Sequence, residues 1–524
     1  MRRVAIFGWG IVAPKAPTLD VFRERLDDAK SWLTPFNGFG PDNFMVGTPE
    51  FDFARYQPWL EQRFPPSRFK QLTDKMDPTT LFAIGAFIQA LGANEGLEAQ
   101  LSLQGPQTHV YVSTALGAIP TLHEISLTYY RAQRRWNRFW SAPERNSAIA
   151  EAIAGNSPWP EELRDPAQLT DPDEREQAED VWFAHWASRS PALADYLEEF
   201  RQIESLTVEG DIESAKLGVI REKRRRLSAL AERWKTPEPP WNCVSANVLW
   251  NIANTPASQI SMLGHITGPC FAPVAACSTF GVTLHLGMQA ISSGKARFAV
   301  IGSADPAPHP ITVGAFYNAR VLAADGAVSK PLSGLKGTHV AGGSCIWILG
   351  DLEYGLSKGF KPLGLEPLAV GLSADADHII TPSKEGPKKA IHAALEQANV
   401  TAGDLVSWDL HATATPGDYQ EVDNLRGLLS ENVLITARKG IFGHGMGVGG
   451  GWELTAQFLG VERGKLFPTP LEPSELNQTI KDLGQRFVFN QPVPVPRSVV
   501  GKLSMGVGGI NSCVISRSFR GPAE

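Results

Sequence analysis

"PVAACSTFGVTLHLGMQAISSGKARFAVIGSAD", residues 273–305, sets out a small-residue apolar lead, a cysteine, an amphipathic helix and an apolar strand, in that order. The helix pattern starts directly behind Cys277, and "SSGK" turns the chain into "RFAVIGSAD". A helix handing over to a strand is the unit from which α/β sheets are built. Cys277 at the helix entrance has two readings. It is a small buried hydrophobe, or it is a nucleophile whose thiolate is stabilised by the helix dipole and the free N–H groups of the first turn, which lower its pKa. The same N–H groups would hold an oxyanion after attack on a carbonyl.

Outward from this stretch, apolar runs alternate with helical patterns: "RVAIFGWGIV", "THVYVSTALG", "SCIWILGDL", "LVSWDLHAT" and "RFVFNQPV", with Gly and Asp at their ends. The alternation predicts an α/β fold with sheets covered by helices. The chain also echoes itself. Residues 433–467 run "VLITARKGIFGHG", a Gly-rich turn and the helix "GWELTAQFLGVERGK"; "VAIFGWGIV" and "PLAVGLSAD" (367–375) read as matching first strands. Two similar halves are expected, 1–360 and 361–524. Residues 131–240 depart from the pattern. They are charged, Trp-rich and helix-periodic, and read as a helical insertion because Trp182, Trp186, Tyr196 and Phe200 need something to pack on. Their basic groups, Arg131, Arg134, Arg135 and Arg138 and then Arg221, Lys223, Arg224, Arg225 and Arg226, read as a solvated face, with a docking surface for an acidic carrier protein as the sharper alternative.

The 524 residues carry a net charge of −6, which argues against a general nucleic-acid binder. Five cysteines, odd in number and without CxxC spacing, argue against a disulfide framework or zinc site and for a reducing, cytoplasmic setting. "MRRVAIFGWGIVAPK" reads as strand and turn rather than a signal peptide, and no run reaches the about 20 apolar residues that span a bilayer.

Three further segments carry candidate chemistry. In "WDLHATATPGDYQE" (408–421), His411 ends a strand and faces a crevice, and Thr413 and Thr415 offer two hydroxyls to a ligand arm; a plain turn is the alternative. "RKGIFGHGMGVGGG" (438–451) places Lys439 five residues before His444 among glycines, and misses both the GxxxxGK[ST] and GxGxxG phosphate fingerprints. "KLSMGVGGINSCVI" (502–515) reads as a Gly-rich hairpin before a last strand.

Taken together, the four segments resemble the β-ketoacyl synthases, the condensing enzymes of the thiolase-like superfamily. "VAACSTFG" is similar to that family's nucleophile segment, "HATATPGDYQE" to its HGTSTPxGDxxE, "KGIFGH" to its KxxxGH and "MGVGGIN" to its FGFGGTN. The resemblance implies a layered αβαβα fold and a Cys–His–His site. Cys277 would accept the acyl group, and His411 and His444 would face the malonyl thioester. Lys439 would order the surroundings of the second histidine. The backbone N–H groups of Cys277 and Val507 would form the oxyanion hole. Thr413, Thr415, Met505, Val507 and Gly508 would contact the phosphopantetheine arm. It also implies an acyl carrier protein as partner, a homodimer, and no metal or redox cofactor beyond the carrier's phosphopantetheine.

The pattern departs in places. Met505 and Val507 stand where the family carries two gating phenylalanines, "PLSGLKGTH" (331–339) has Ser333 and Lys336 for an Asp and an Arg, and the TPGD loop is one residue short. These point to a specialised synthase, of polyketide, polyene or pigment type, rather than a housekeeping fatty-acid elongase, within the fatty-acid or polyketide/polyene-type biosynthesis that the resemblance implies. The competing expectations are a catalytically silent, chain-length-factor-like subunit, a coenzyme A-dependent thiolase-type enzyme, and a cysteine hydrolase.

Overall fold

Val4–Val12 (β1) is buried at every position, as a strand covered on both faces must be. With Thr108–Ser113 (β2), Cys270–Phe271 (β3), Phe298–Asp305 (β4) and Gly343–Asp351 (β5) it forms a five-stranded sheet in the order β1-β5-β4-β2-β3. A second sheet holds Leu365–Ala374 (β6), Leu405–Asp409 (β7), Leu434–Thr436 (β8), Arg486–Phe487 (β9), Val499–Gly506 (β10) and Ile510–Ser518 (β11) in the order β6-β11-β10-β7-β8-β9. The computed structural model describes residues 2–40, 43–207 and 212–519. Residues 208–211 of the expected insertion and 520–524 of the expected second half lie outside these.

The two sheets share one plan. β1 is antiparallel to β5 and β5 to β4, after which β2 and β3 join in parallel. In the second sheet β6 is antiparallel to β11 and β11 to β10, after which β7 and β8 join in parallel. β9 extends only the second edge. The "RFVFNQPV" run therefore yields a two-residue edge strand, because the prolines that follow cannot donate to a ladder.

Helices fill the layers between and outside the sheets. Pro78–Leu91 (α1) packs Ala83, Phe87 and Ala90 on the outer face of the first sheet. Thr279–Ser292 (α2) and Gly449–Glu462 (α5) lie between the sheets; Phe280 and Leu284 share a core with Trp452, Ala456 and Leu459, with Ile301 and Trp347 from one sheet, and with Val370, Val500 and Val514 from the other. Glu385–Ala398 (α3) and Gly417–Leu425 (α4) cover the far face with Ile391, Ala394, Val422 and Leu425 against Trp408, Leu503 and Ile515. The result is the layered αβαβα arrangement of thiolase-like proteins. Cys345 is buried in the inner core and Cys513 in the outer one, as fillers whose thiol pKa values burial drives up.

The first strands of the two sheets meet their covering helices in the same way. A Cβ on Gly10 of β1 would sit 1.9 Å from the Ala86 carbonyl oxygen of α1, and one on Gly371 of β6 would sit 2.1 Å from the Ala390 carbonyl oxygen of α3. Both glycines are there for close helix–strand approach.

Residues Thr121–Val248 form a separate compact unit, with bounds outside 131–240 because the helix Ile119–Trp140 starts before the charged run. Its cores gather Trp136, Trp140, Tyr196 and Leu230, and Ile149, Leu163 and Trp186. Much of its basic charge is spent inside the unit. Arg134 pairs with Glu176, Glu179 and Asp180, Arg138 with Glu179, Lys223 with Glu204, and Arg225 and Arg226 with Glu222. Among the described residues no helix is long and apolar enough to cross a membrane.

Substituting Gly371→Val is expected to lower unfolding stability by about 1–3 kcal/mol through overpacking against α3. Chemical denaturation reads this as a lower midpoint; an unchanged midpoint contradicts the close approach.

Candidate active site

Ala276–Ser278 is one 3-10 turn that runs directly into α2. Ala276 sits at φ 47°, a left-handed conformation costly for a residue with a Cβ, so the surroundings must hold it. Ser278 does so in part. Its Oγ hydrogen-bonds the carbonyl oxygens of Ser504 (3.0 Å) and Ile510 (2.7 Å) on the two arms of the β10–β11 hairpin. The hairpin tip thereby brings the Val507 N–H to the Cys277 sulfur.

The electrostatics at Cys277 correct the expectation of a lowered thiol pKa. The side chain is almost wholly buried, and burial pushes the pKa up to about 11. The Val507 N–H, the Lys439 charge and the Cys277 N–H pull it down, the Asp305 carboxyl pushes it up, and burial wins. The resting group is a thiol, and its proton needs an acceptor.

That acceptor is adjacent. His444 Nε2 lies 3.1 Å from Cys277 Sγ. His411, just beyond the end of β7, puts its ring centroid 5.3 Å from that of His444 with the planes at 81°. The sulfur and a nitrogen of each ring lie within 4.8 Å of one another. Both imidazoles have pKa values well below the usual histidine range, first because they are buried and next because Lys439 stands beside them; the His444 ring adds to the effect on His411, and Lys502 acts on both. At neutral pH both rings are uncharged.

The chain around His411 is clamped from both sides. Glu421 accepts the N–H groups of His411 (2.7 Å) and Ala412 (2.8 Å). Asp418 accepts those of Thr413 (2.7 Å), Ala414 (3.1 Å) and Leu332 (2.8 Å). Burial raises these carboxyls to about 7 and about 6 respectively. Lys439 Nζ donates to the His411 carbonyl oxygen and, at 2.7 Å, to Glu453 Oε1. The hydrogen bonds of Lys439 thus go to the chain of the first histidine and to Glu453 rather than, as the resemblance implied, to the surroundings of the second, while its charge acts on both rings. His444 is held through its backbone instead. Its N–H donates to the His339 carbonyl oxygen (2.7 Å), and its own carbonyl accepts from Ala341 (2.9 Å). The His339 ring is buried and neutral; Nε2 accepts from the Ser329 N–H (2.7 Å), so Nδ1 carries the proton and donates to the Met45 carbonyl (2.9 Å).

Cys277, His411 and His444 close the end of a cavity of about 410 Å³. Thr413 and Thr415 line it with their hydroxyls 3.0 Å apart, an approach made by the left-handed turn at Ala414. Met505 and Val507 line it too, and Val507 is half-exposed at the mouth. Gly508, expected in the arm-binding set, does not line the cavity. Its N–H faces the Ile379 carbonyl (2.6 Å), and with φ 91° it serves the hairpin turn. Ser333 and Lys336, the two departures in "PLSGLKGTH", bond the Lys330 carbonyl (2.6 Å) and Asp325 (2.5 Å) away from the sulfur. The sulfur and two ring nitrogens are close enough to grip a soft metal ion in principle, but the buried lysines behind them oppose a dication.

Asp418, Glu421, Glu453 and Lys502 were missed in the sequence. A lysine inside the apolar strand pattern of "SVVGKLSMG" is the signal that marks one of them, since a buried charge in a central strand requires a partner.

Residues 219–352 match the β-ketoacyl synthase N-terminal domain and residues 368–471 its C-terminal domain. The chain thus carries, in order, matches to both domains of the β-ketoacyl synthase family. It is 28% identical over 281 residues to 3-oxoacyl-[acyl-carrier-protein] synthase 2 of Rhizobium meliloti (strain 1021), a match covering 52% of this chain and 66% of that protein. The chain spans between about half and two thirds of the length of the curated relatives it matches. Among solved structures, the ishigamide ketosynthase/chain length factor superposes with a TM-score of 0.69 at 18% identity, covering 99% of this chain and 100% of that one. A type II polyketide synthase ketosynthase solved in complex with its acyl-carrier protein gives 0.63 at 16% identity, over 99% of this chain and 100% of that one. At these identities the likeness is one of fold.

Alkylation of Cys277 by iodoacetamide is expected to accelerate about tenfold per pH unit from pH 7 to pH 9, following the thiolate fraction. Peptide mass spectrometry measures the rate; a plateau below pH 8 contradicts the raised thiol pKa.

Proposed function

We propose that this chain is a decarboxylating β-ketoacyl synthase that joins an acyl thioester to a malonyl thioester carried on an acyl carrier protein. The observation that carries this reading is the meeting of one sulfur and two neutral imidazoles within 4.8 Å, with the Val507 and Cys277 N–H groups directed at that sulfur.

In the first step Cys277 attacks the acyl thioester. Its proton passes to His444 Nε2 and on to the departing carrier thiol, leaving the acyl group on sulfur. In the second, the malonyl carboxylate leaves as carbon dioxide, and the electron pair of the broken C–C bond moves into an enolate. The His411 N–H and the His444 ring, in its Nε2–H tautomer for this step, stabilise the negative oxygen as it forms. The enolate carbon then attacks the acyl-Cys277 carbonyl. The tetrahedral oxyanion is held by the Cys277 and Val507 N–H groups, and collapse expels the Cys277 thiolate, which takes up a proton from solvent. Thr413 and Thr415 bond the amides of the phosphopantetheine arm, with Met505 and Val507 beside it. No step calls on a metal or redox cofactor. Cys277 favours this reading over a silent chain-length-factor-like subunit, which would not need the nucleophile.

The two sheet-centred halves, 1–360 and 361–524, are proposed to divide the chemistry, the first supplying the nucleophile and the second both histidines. We further propose a cytoplasmic homodimer. The five unpaired thiols suit a reducing compartment, and Phe271 and Val274, half-exposed at the β3 edge, offer an apolar edge for a second copy.

Intact mass after incubation with acyl-carrier proteins of varied chain length is expected to rise by one acyl group in the wild type and not in Cys277→Ser. No adduct from any donor contradicts the proposal. Cys277→Gln is expected to keep or raise malonyl decarboxylation while condensation vanishes; surviving condensation places the nucleophile elsewhere. Light scattering is expected to give twice the chain mass, and the mass of one chain rejects the dimer.

A further inference from the structure

Lys502 lies in the middle of β10, where alternation sends Val500, Lys502 and Ser504 toward the inner helices while Leu503 and Met505 face the outer core. It is 1% exposed. An ammonium group taken wholly out of water costs several kcal/mol unless strong partners offset it (about that scale). Lys502 has three. Its Nζ lies 2.8 Å from Glu453 Oε2, 2.6 Å from the Leu503 carbonyl oxygen and 3.1 Å from the Leu410 carbonyl oxygen. Burial works against the charge, but Glu453, Asp409 and Glu421 outweigh it, so the group stays protonated.

The arrangement mirrors Lys439. One lysine takes Glu453 Oε1 and the His411 carbonyl, the other takes Glu453 Oε2 and the carbonyl of the residue before it. We infer that Lys502 is a second positioning lysine of this site, gripping the strand end that projects His411 and standing as fixed positive charge behind both imidazoles. This rests on the proposed condensing activity. Two consecutive carbonyls pinned by two ammonium groups, opposite two consecutive N–H groups pinned by Glu421, leave the His411 backbone no freedom to swing. The same charge favours the uncharged imidazoles that must donate to the enolate, and favours the enolate itself.

The groups facing the two rings are Lys439 from the short helix Lys439–Phe442, Lys502 from β10, Glu453 from α5, Asp418 and Glu421 from α4, Asp305 from β4, and Cys277. Asp409 and Arg438 pair behind them at 2.8 Å, and the Asp409 carboxylate also acts on Lys502. Among these, Lys502 and Lys439 are the cations that oppose protonation of both rings. Removing Lys502 therefore raises the imidazole pKa values, and the acid limb of the rate profile moves to higher pH.

The experiment uses the full chain and measures malonyl-thioester decarboxylation against pH for wild type, Lys502→Met and Lys502→Arg. Lys502→Met is expected to lose about ten- to a hundred-fold in rate at pH 7, as misplacement of a catalytic group does, and to move its acid limb upward; Lys502→Arg is expected to return the limb toward the wild-type position. A uniform loss across pH with the limb in place, or a limb that Lys502→Arg fails to restore, overturns the positioning role. If neither variant folds by circular dichroism, the wild-type profile decides. A limb below the ordinary imidazole range is what burial and the charge behind the rings together require, and one at or above it contradicts that charge. A wild type that neither takes up an acyl group nor decarboxylates refutes the condensing activity itself, and the inference with it.

Discussion

The Glu453 carboxylate lies between Lys439 and Lys502, one oxygen to each at 2.7 and 2.8 Å, with all three groups out of solvent. Three elements meet at this triad: the approach to His444, the inner helix α5 that follows it, and the hairpin strand β10 from further along the chain. Removing one partner would leave a buried charge uncompensated, which costs about 3–5 kcal/mol. The triad therefore locks the relative placement of the segments that carry His411, His444 and the Val507 N–H. Catalytic geometry and the stability of the inner layer rest on the same ion pairs.

The strand plan that the two sheets share explains why the site lies where it does. β4 and β10 occupy equivalent central positions, and the inner helices α2 and α5 enter the same layer from the two halves. Cys277 sits at the entrance of α2, and His444 lies just before α5. His411 follows β7, the neighbour of β10. Each half thus presents the ends of its central elements to one cavity. The raised thiol pKa of Cys277 and the depressed imidazole pKa values follow from this shared burial. They leave a site that is uncharged at neutral pH and backed by positive charge, which suits a reaction that gathers negative charge on a thioester oxygen.

Much of this was legible in the sequence because the chemistry sits in short contiguous segments at strand ends. Cys277, His411, His444, Thr413 and Thr415 each stood out on a short segment with a plain structural alternative, and only the four segments together carried the resemblance; "VAIFGWGIV" and "PLAVGLSAD", read as matching first strands, occupy corresponding places in the two sheets. What could not be read were properties that depend on distant segments. The sign of the Cys277 pKa shift is one, since the helix N-terminus is visible locally and the burial that outweighs it is not. The partner of Lys439 is another: the resemblance assigned it to the surroundings of His444, and the fold gives its hydrogen bond to the carbonyl of His411. Gly508 turned out to serve the hairpin, because which glycines of "GVGG" face the cavity depends on the turn. Lys502 was passed over although a lysine in an apolar strand signals a buried partner; Glu453, which answers it, lies 49 positions away (502 minus 453).

Whether the sulfur and the two rings work as one unit is read most directly by a double-mutant cycle on malonyl-thioester decarboxylation, with His411→Ala, His444→Ala and the pair. Groups that hold a single enolate oxygen together are strongly non-additive, so either substitution alone should cost nearly as much as both. Losses that simply add, or a His411→Ala enzyme that decarboxylates at the wild-type rate, would contradict a shared site.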